Sequence, residues 1–148
     1  MEYCFSDISS SFPIFAPDWS SLHINCGGPE VRLDRSTTYE ADLEPGAPSK
    51  FFKSSTNWAF SSTGHFLDDR RPIDSYTTTN TSVLNMNNAT LYMTARISPL
   101  SLTYYGFCLF NGSYTVRLHF AETMFTDDKT FSSLGRRVFD VYIQVNGG

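Results

Sequence analysis

The chain has 148 residues, room for one domain, with a net charge of −4 and only 18% charged residues against the roughly 25% usual in soluble globular proteins. No Lys/Arg run exceeds Arg70-Arg71 and Arg136-Arg137, which argues against a groove that tracks nucleic-acid phosphates. No apolar run approaches the roughly 18 residues of a membrane span. Thirteen Phe and eight Tyr, with abundant Ser and Thr, favour strands over helices.

Residues 1–20 contain Pro13 and Pro17 and no period, and read as a tail or linker. They lack a basic start and a continuous apolar stretch, so they do not read as a secretory signal peptide as they stand. Ser-Leu-His-Ile-Asn-Cys at 21–26 alternates, with Leu22, Ile24 and Cys26 on one face, and stops at Gly27-Gly28-Pro29: a first strand. Residues 30–50 are turn-rich and read mostly as loop, with Tyr39 and Leu43 as possible packing residues. From 51 to 69 the aromatics Phe51, Phe52, Trp58, Phe60 and Phe66 are interleaved with Ser, Thr, Asn and Gly. This reads as loop folding back over a core edge, or as the mixture a sugar site needs, since a flat ring covers the C–H face of a pyranose while polar neighbours bond its hydroxyls.

Residues 77–88 read as a Thr/Asn/Ser loop. Residues 90–96 read as a strand, as do 103–110, which Asn111-Gly112 turns into the alternating run Tyr114, Val116, Leu118, Phe120. The pattern predicts an antiparallel hairpin with one face of 113–122 buried. Phe139, Val141, Ile143 and Val145 mark a further strand, ending at Asn146-Gly147. No segment shows a sustained 3.6 period, so the fold class expected is all-β, a jelly-roll-like β-sandwich.

Few residues suggest chemistry. Asp68-Asp69 and Asp127-Asp128 are adjacent carboxylates on loops, not a pair set across a cleft. His23, His65 and His119 lack metal-ligand spacing; His23 and His119 lie opposite the apolar faces of their strands, toward solvent or a ligand. There is no nucleophile elbow and no phosphate-cradling glycine loop. The expectation is therefore no enzyme, no cofactor and no metal. Binding candidates by residue type are Trp58, Phe60, Tyr92, Met124 and Phe125, with Asp68, Arg96 and Asp127 as polar partners. Asn80, Asn88 and Asn111 each open an N-glycosylation pattern, which suggests a secreted context. The three cysteines are Cys4, Cys26 and Cys108. Cys26 and Cys108 sit in apolar strand contexts and are the candidates for a disulfide, worth about 4–5 kcal/mol on chain entropy; the other reading is two buried free thiols.

Ser-Leu-His-Ile-Asn-Cys-Gly-Gly at 21–28, Leu-Tyr-Met-Thr-Ala-Arg at 91–96, Ser-Tyr-Thr-Val-Arg-Leu-His-Phe-Ala-Glu at 113–122 and Arg-Arg-Val-Phe-Asp-Val-Tyr-Ile-Gln at 136–144 resemble the malectin domain. They look more like the version in ectodomains of plant leucine-rich-repeat receptor-like kinases. The resemblance covers residues 21–148, the expected domain. It implies a β-sandwich on the extracellular face of the plasma membrane that binds a carbohydrate or glycoprotein ligand, without inserting in the membrane itself. The alternative is a protein-interaction or structural module that contacts a receptor or co-receptor ectodomain. Carried over by motif, the ligand-binding residues would be Trp58, Tyr92, Met124 and Phe125, with Met124 standing where the family has Tyr. In the family further strands follow the Val-Phe-Asp-Val strand and its Asn-Gly turn, so the chain reads as about the first two-thirds of a domain. Such a sandwich would leave sheet edges and core exposed.

Overall fold

Trp58, Phe60 and Ser62 alternate with Ala59, Ser61 and Thr63, and this run is the central strand of a three-stranded antiparallel sheet. The computed structural model describes residues 19–66, 76–80, 85–121 and 138–143. In chain order these contain β1 (Ile24–Asn25), β2 (Val31–Arg32), β3 (Thr38–Ala41), β4 (Ser49–Lys53), β5 (Trp58–Thr63) and β6 (Thr77–Thr79). A 3-10 helix (Ala89–Tyr92), β7 (Thr94–Arg96) and β8 (Ser101–Gly106) follow. Three small sheets result, ordered β1-β3-β2, β4-β5-β8 and β6-β7. Every pairing is antiparallel except that of β1 with β3. The described residues are thus β-rich, and their one helical element is that single 3-10 turn.

The loop expected over 51–69 is instead largely strand across its described part, 51–66. Four polar residues, 54–57, close β4 onto β5 as a hairpin whose register pairs Phe52 with Phe60. Ser54 holds the turn: its backbone N–H and its hydroxyl both donate to the carbonyl of Trp58 (3.0 and 2.7 Å). The inward face then stacks Phe52, Trp58, Phe60 and Tyr104, with ring centroids 5.7–6.1 Å apart. Trp58 is 1% exposed and Phe60 0%. Each such side chain contributes roughly 1.5–3 kcal/mol by leaving water. Ser spaced between aromatics masks this pattern when only hydrophobicity is counted.

A buried polar cluster joins the three sheets. Asp42, one residue past β3, receives Arg96 of β7 through Nε to Oδ2 (2.7 Å) and Nη2 to Oδ1 (2.6 Å). The Tyr104 hydroxyl of β8 donates to Oδ2 (2.6 Å), as does the Gly27 N–H just past β1 (3.0 Å). Arg96 Nη2 also donates to the Glu44 carbonyl (2.7 Å), and the guanidinium carbon lies 4.1 Å from the Phe60 ring centroid. Gly27 takes φ +77°, and a Cβ there would come within 2.6 Å of the Arg96 nitrogen. Glycine is needed both for the left-handed backbone and for the close approach. Arg96 was expected as a polar partner in a binding site; it is 7% exposed and its fork is spent on Asp42.

Burial pushes the Cys26 thiol up, with Asp42 adding to it against a hydrogen bond with Tyr104. Tyr104 is raised further, by burial first and then by Cys26 and Asp42. Burial pulls Arg96 the other way, but its bonds to Asp42 outweigh this and hold the guanidinium above its ordinary value.

Three further expectations are corrected. Residues 90–96 are not one strand: the 3-10 helix occupies the first half and β7 the second. The hairpin between 103–110 and 113–122 does not form. β8 pairs with β5 and ends at Gly106; Cys108, at φ +53°, turns the chain, and the Trp19 N–H donates to the Cys108 carbonyl (2.9 Å) while its carbonyl accepts from the Phe110 N–H (3.0 Å). Residues 113–121 lie outside any ladder, and Tyr114, Val116, Leu118 and Phe120 are 40–59% exposed, with Phe120 against Phe139 (5.2 Å). No strand among the described residues lies alongside to bury that face. Finally, Cys26 does not pair with Cys108: Cys26 carries a free thiol, while Cys108 is disulfide-bonded to a partner outside the described residues.

Asp42→Ala is expected to cost about 3–5 kcal/mol in urea unfolding, because it strands a buried guanidinium; the pair Asp42→Leu with Arg96→Met is expected to recover much of that. Stability is also expected to fall in alkali. The native state holds the Cys26 and Tyr104 protons above their ordinary values of 9.0 and 10.0. The stabilisation is therefore complete below 9.0 and is lost as the unfolded chain releases those protons with rising pH. A flat unfolding midpoint from below 9.0 to above 10.0 would contradict this.

Candidate functional site

Four rings from separate parts of the chain meet at one edge of the fold. His23, next to β1, packs on Tyr39 of β3 (5.2 Å between centroids), because the parallel β1-β3 pairing sets Ile24 beside Glu40. Tyr39 in turn meets His119 edge-on at 6.1 Å, and His119 meets Tyr92 edge-on at 5.5 Å. The Tyr92 hydroxyl and His119 Nδ1 share a 2.9 Å hydrogen bond. Tyr92 ends the 3-10 helix, which starts after Asn88 in the left-handed region (φ 59°) and is pinned by buried Leu91. Leu91 points in, so the next side chain emerges half-exposed.

The row offers π-faces for C–H groups and, along its rim, two imidazoles and two phenols able to donate or accept hydrogen bonds. It supplies no metal-binding set, since no group of three or more His, Cys, Asp or Glu side chains is gathered among the described residues.

Of the residues expected to bind ligand, Tyr92 lies in this row. Trp58 does not: it sits in the sheet core, and its indole N–H donates to Glu40 Oε2 (2.9 Å), leaving no ring face for a ligand. The sequence placed it in a loop, and pairing with β4 and β8 buries it instead. Met124, Phe125, Asp68 and Asp127 lie outside the described residues. Tyr39 was legible only as a packing residue. His23 and His119 carried a usable signal, since both fall opposite the apolar face of their segments.

The three glycosylation patterns differ in setting. Asn88 and Asn111 are exposed, whereas Asn80 is 6% exposed, with its backbone N–H bonded to the Met93 carbonyl (2.7 Å). No helix among the described residues is long and apolar enough to cross a membrane.

Comparison with known proteins identifies one family over nearly the whole chain: the Malectin domain, matched by residues 20–146. Among curated proteins, a probable LRR receptor-like serine/threonine-protein kinase of Arabidopsis thaliana is 56% identical over 128 residues, 83% of this chain and 13% of the relative. A second from the same plant, RFK1, is 47% identical over 134 residues, 86% of this chain and 13% of the relative. A third is 46% identical over 127 residues, 86% of this chain and 12% of the relative. The chain thus spans only 12–13% of the length of these curated relatives. No solved structure matches it.

Expressed behind a secretory leader, the chain is expected to carry glycans at Asn88 and Asn111 but not at buried Asn80. Mass spectrometry should show Asn88→Gln and Asn111→Gln each losing one glycan and Asn80→Gln losing none; a glycan lost from Asn80→Gln would contradict the burial argument.

Proposed function

The chain belongs to the malectin domain family, and from that premise we propose that it is a non-enzymatic carbohydrate-binding module of a receptor-kinase ectodomain. In this reading residues 21–148 contribute to a jelly-roll-like β-sandwich displayed outside the plasma membrane. The ligand is an oligosaccharide or a glycosylated partner. The observation that carries the proposal is the half-exposed Tyr92, whose hydroxyl is tied to His119 in a row with Tyr39 and His23.

Sugar recognition needs a flat apolar face with fixed polar atoms at its rim, held before the ligand arrives. The Tyr92–His119 bond fixes the phenol, and packing against Tyr39 fixes the imidazole. Met124 and Phe125, carried over from the family motif alone, would add one ring and one thioether to the proposed ligand set. The thioether gives adaptable contact without a hydroxyl. The names of the relatives describe receptor-like kinases, which supports placing the module in such an ectodomain.

One observation favours a protein-contact role instead: the exposed row of Tyr114, Val116, Leu118 and Phe120. Contiguous apolar surface of this kind marks contact sites, and it would serve a receptor or co-receptor ectodomain.

Calorimetric titration of glucose-containing oligosaccharides into the full chain tests the leading reading. Wild type is expected to bind, Tyr92→Ala to bind roughly tenfold more weakly through loss of a stacking face and a hydrogen bond, and Trp58→Phe to bind as wild type while unfolding more easily. No heat with wild type, or equal affinity for Tyr92→Ala, would favour the protein-contact role.

A further inference from the structure

The outward face of the β4-β5-β8 sheet carries a second aromatic surface that shares no residue with the Tyr92 row. Strand alternation puts Phe52, Trp58, Phe60 and Tyr104 inward, and therefore Phe51, Ala59, Ser61 and Tyr105 outward. Phe51 is 62% exposed and lies 6.3 Å from Tyr105, centroid to centroid. Tyr105 and Phe107 are parallel within 1° at 6.5 Å, close to the two-residue repeat of about 6.6–6.8 Å along a strand. Ser61 Oγ and the Tyr105 hydroxyl are hydrogen-bonded at 3.0 Å, so that ring is held in place. Lys53 Nζ stands 6.0 Å from the Phe107 centroid.

The chemistry of this face is selective. Apart from the rings, Lys53 and Ala59, its strand positions carry only Ser and Thr; no Leu, Ile, Val or Met and no carboxylate stands among them. An interface core for another protein would be expected to be depleted in the Ser, Ala and Lys that fill the positions between these rings. Between the strands that carry the rings, the middle strand has only small side chains, Ala59, fully covered by its neighbours, and the half-buried Ser61, so nothing tall separates Phe51 from Tyr105. The parallel Tyr105 and Phe107 rings, with Phe51 beside them tilted 57° to Tyr105, hydroxyls between them and a nearly uncharged surround match a chain of C–H faces edged with hydroxyls.

We propose that this outer sheet face binds an extended, neutral, equatorially linked glucan, as a platform separate from the Tyr92 row. An equatorially linked pyranose chain keeps its axial C–H groups on two flat sides, and one side lies over Phe51, Tyr105 and Phe107. Its ring hydroxyls meet Ser61, Thr103 and Lys53. The inference rests on the carbohydrate-binding reading for its ligand class and on the sheet geometry for its location.

Affinity electrophoresis of the full chain through gels containing soluble mixed-linkage β-glucan tests it. Wild type should be retarded. Phe51→Ala, at an exposed position, should need roughly tenfold more glucan for the same retardation, and Phe51→Tyr should restore it by keeping the ring. The platform is overturned if wild type is not retarded, if Phe51→Ala matches wild type, or if retardation occurs only with polygalacturonate, which would make Lys53 a simple cation site. Tyr92-dependent binding of short oligosaccharides without glucan retardation would sink the platform and leave the proposed function standing. Phe51-dependent retardation without Tyr92-dependent binding would support the platform and count against the Tyr92 site.

Discussion

The ion pair of Asp42 with Arg96 is the interaction on which the rest of the arrangement depends. Its two hydrogen bonds of 2.6 and 2.7 Å tie the end of β3 to the end of β7, and Tyr104 and Gly27 bring β8 and the end of β1 to the same carboxylate. None of these strands is long: β1 has two residues, β7 three and β8 six. Such short ladders carry few backbone bonds. The relative placement of the sheets therefore falls to a few buried side chains. A buried pair is not by itself a large net source of stability, but removing one partner is costly. That asymmetry makes the pair a device for fixing geometry.

The same pair sets the candidate site. Tyr39 lies on β3, three residues before Asp42, and Tyr92 lies four residues before Arg96. Clamping Asp42 to Arg96 fixes the strand bearing Tyr39 relative to the helix bearing Tyr92, and His119 fills the gap between the two rings. Core and site are therefore coupled through covalent proximity along β3 and β7. Loosening the clamp would separate the rings without touching either of them.

Much of this was legible in the sequence, but unevenly. The all-β character followed from composition and alternation, and the family from four ordered motifs, of which Leu-Tyr-Met-Thr-Ala-Arg also holds both Tyr92 and Arg96. The role of Arg96 was not legible, because its partner is Asp42, far along the chain in a stretch that reads as polar loop. Trp58 misled for a related reason: aromatics spaced by serine look alike in a loop site and in a strand whose neighbours are contributed from elsewhere. Tertiary pairing with β4 and β8 decided between them. The 113–122 run shows the reverse case. Its alternation is the cleanest local signal, yet burial needs a partner strand, and periodicity alone does not supply one. Cys108 likewise looked like a strand residue and proves to be a left-handed turn carrying a disulfide.

The row proposed for sugar recognition contains two of the three histidines of the chain, and the third is a built-in control. His65 bonds the Phe66 carbonyl through Nδ1 and is not one of the four rings. The most direct measurement is a set of imidazole ring spectra by NMR during titration of a glucose-containing oligosaccharide into the full chain. The account predicts that the His23 and His119 signals shift in step with saturation while the His65 signal stays in place. Saturable binding that leaves His23 and His119 unmoved, or that moves His65 alone, would contradict it.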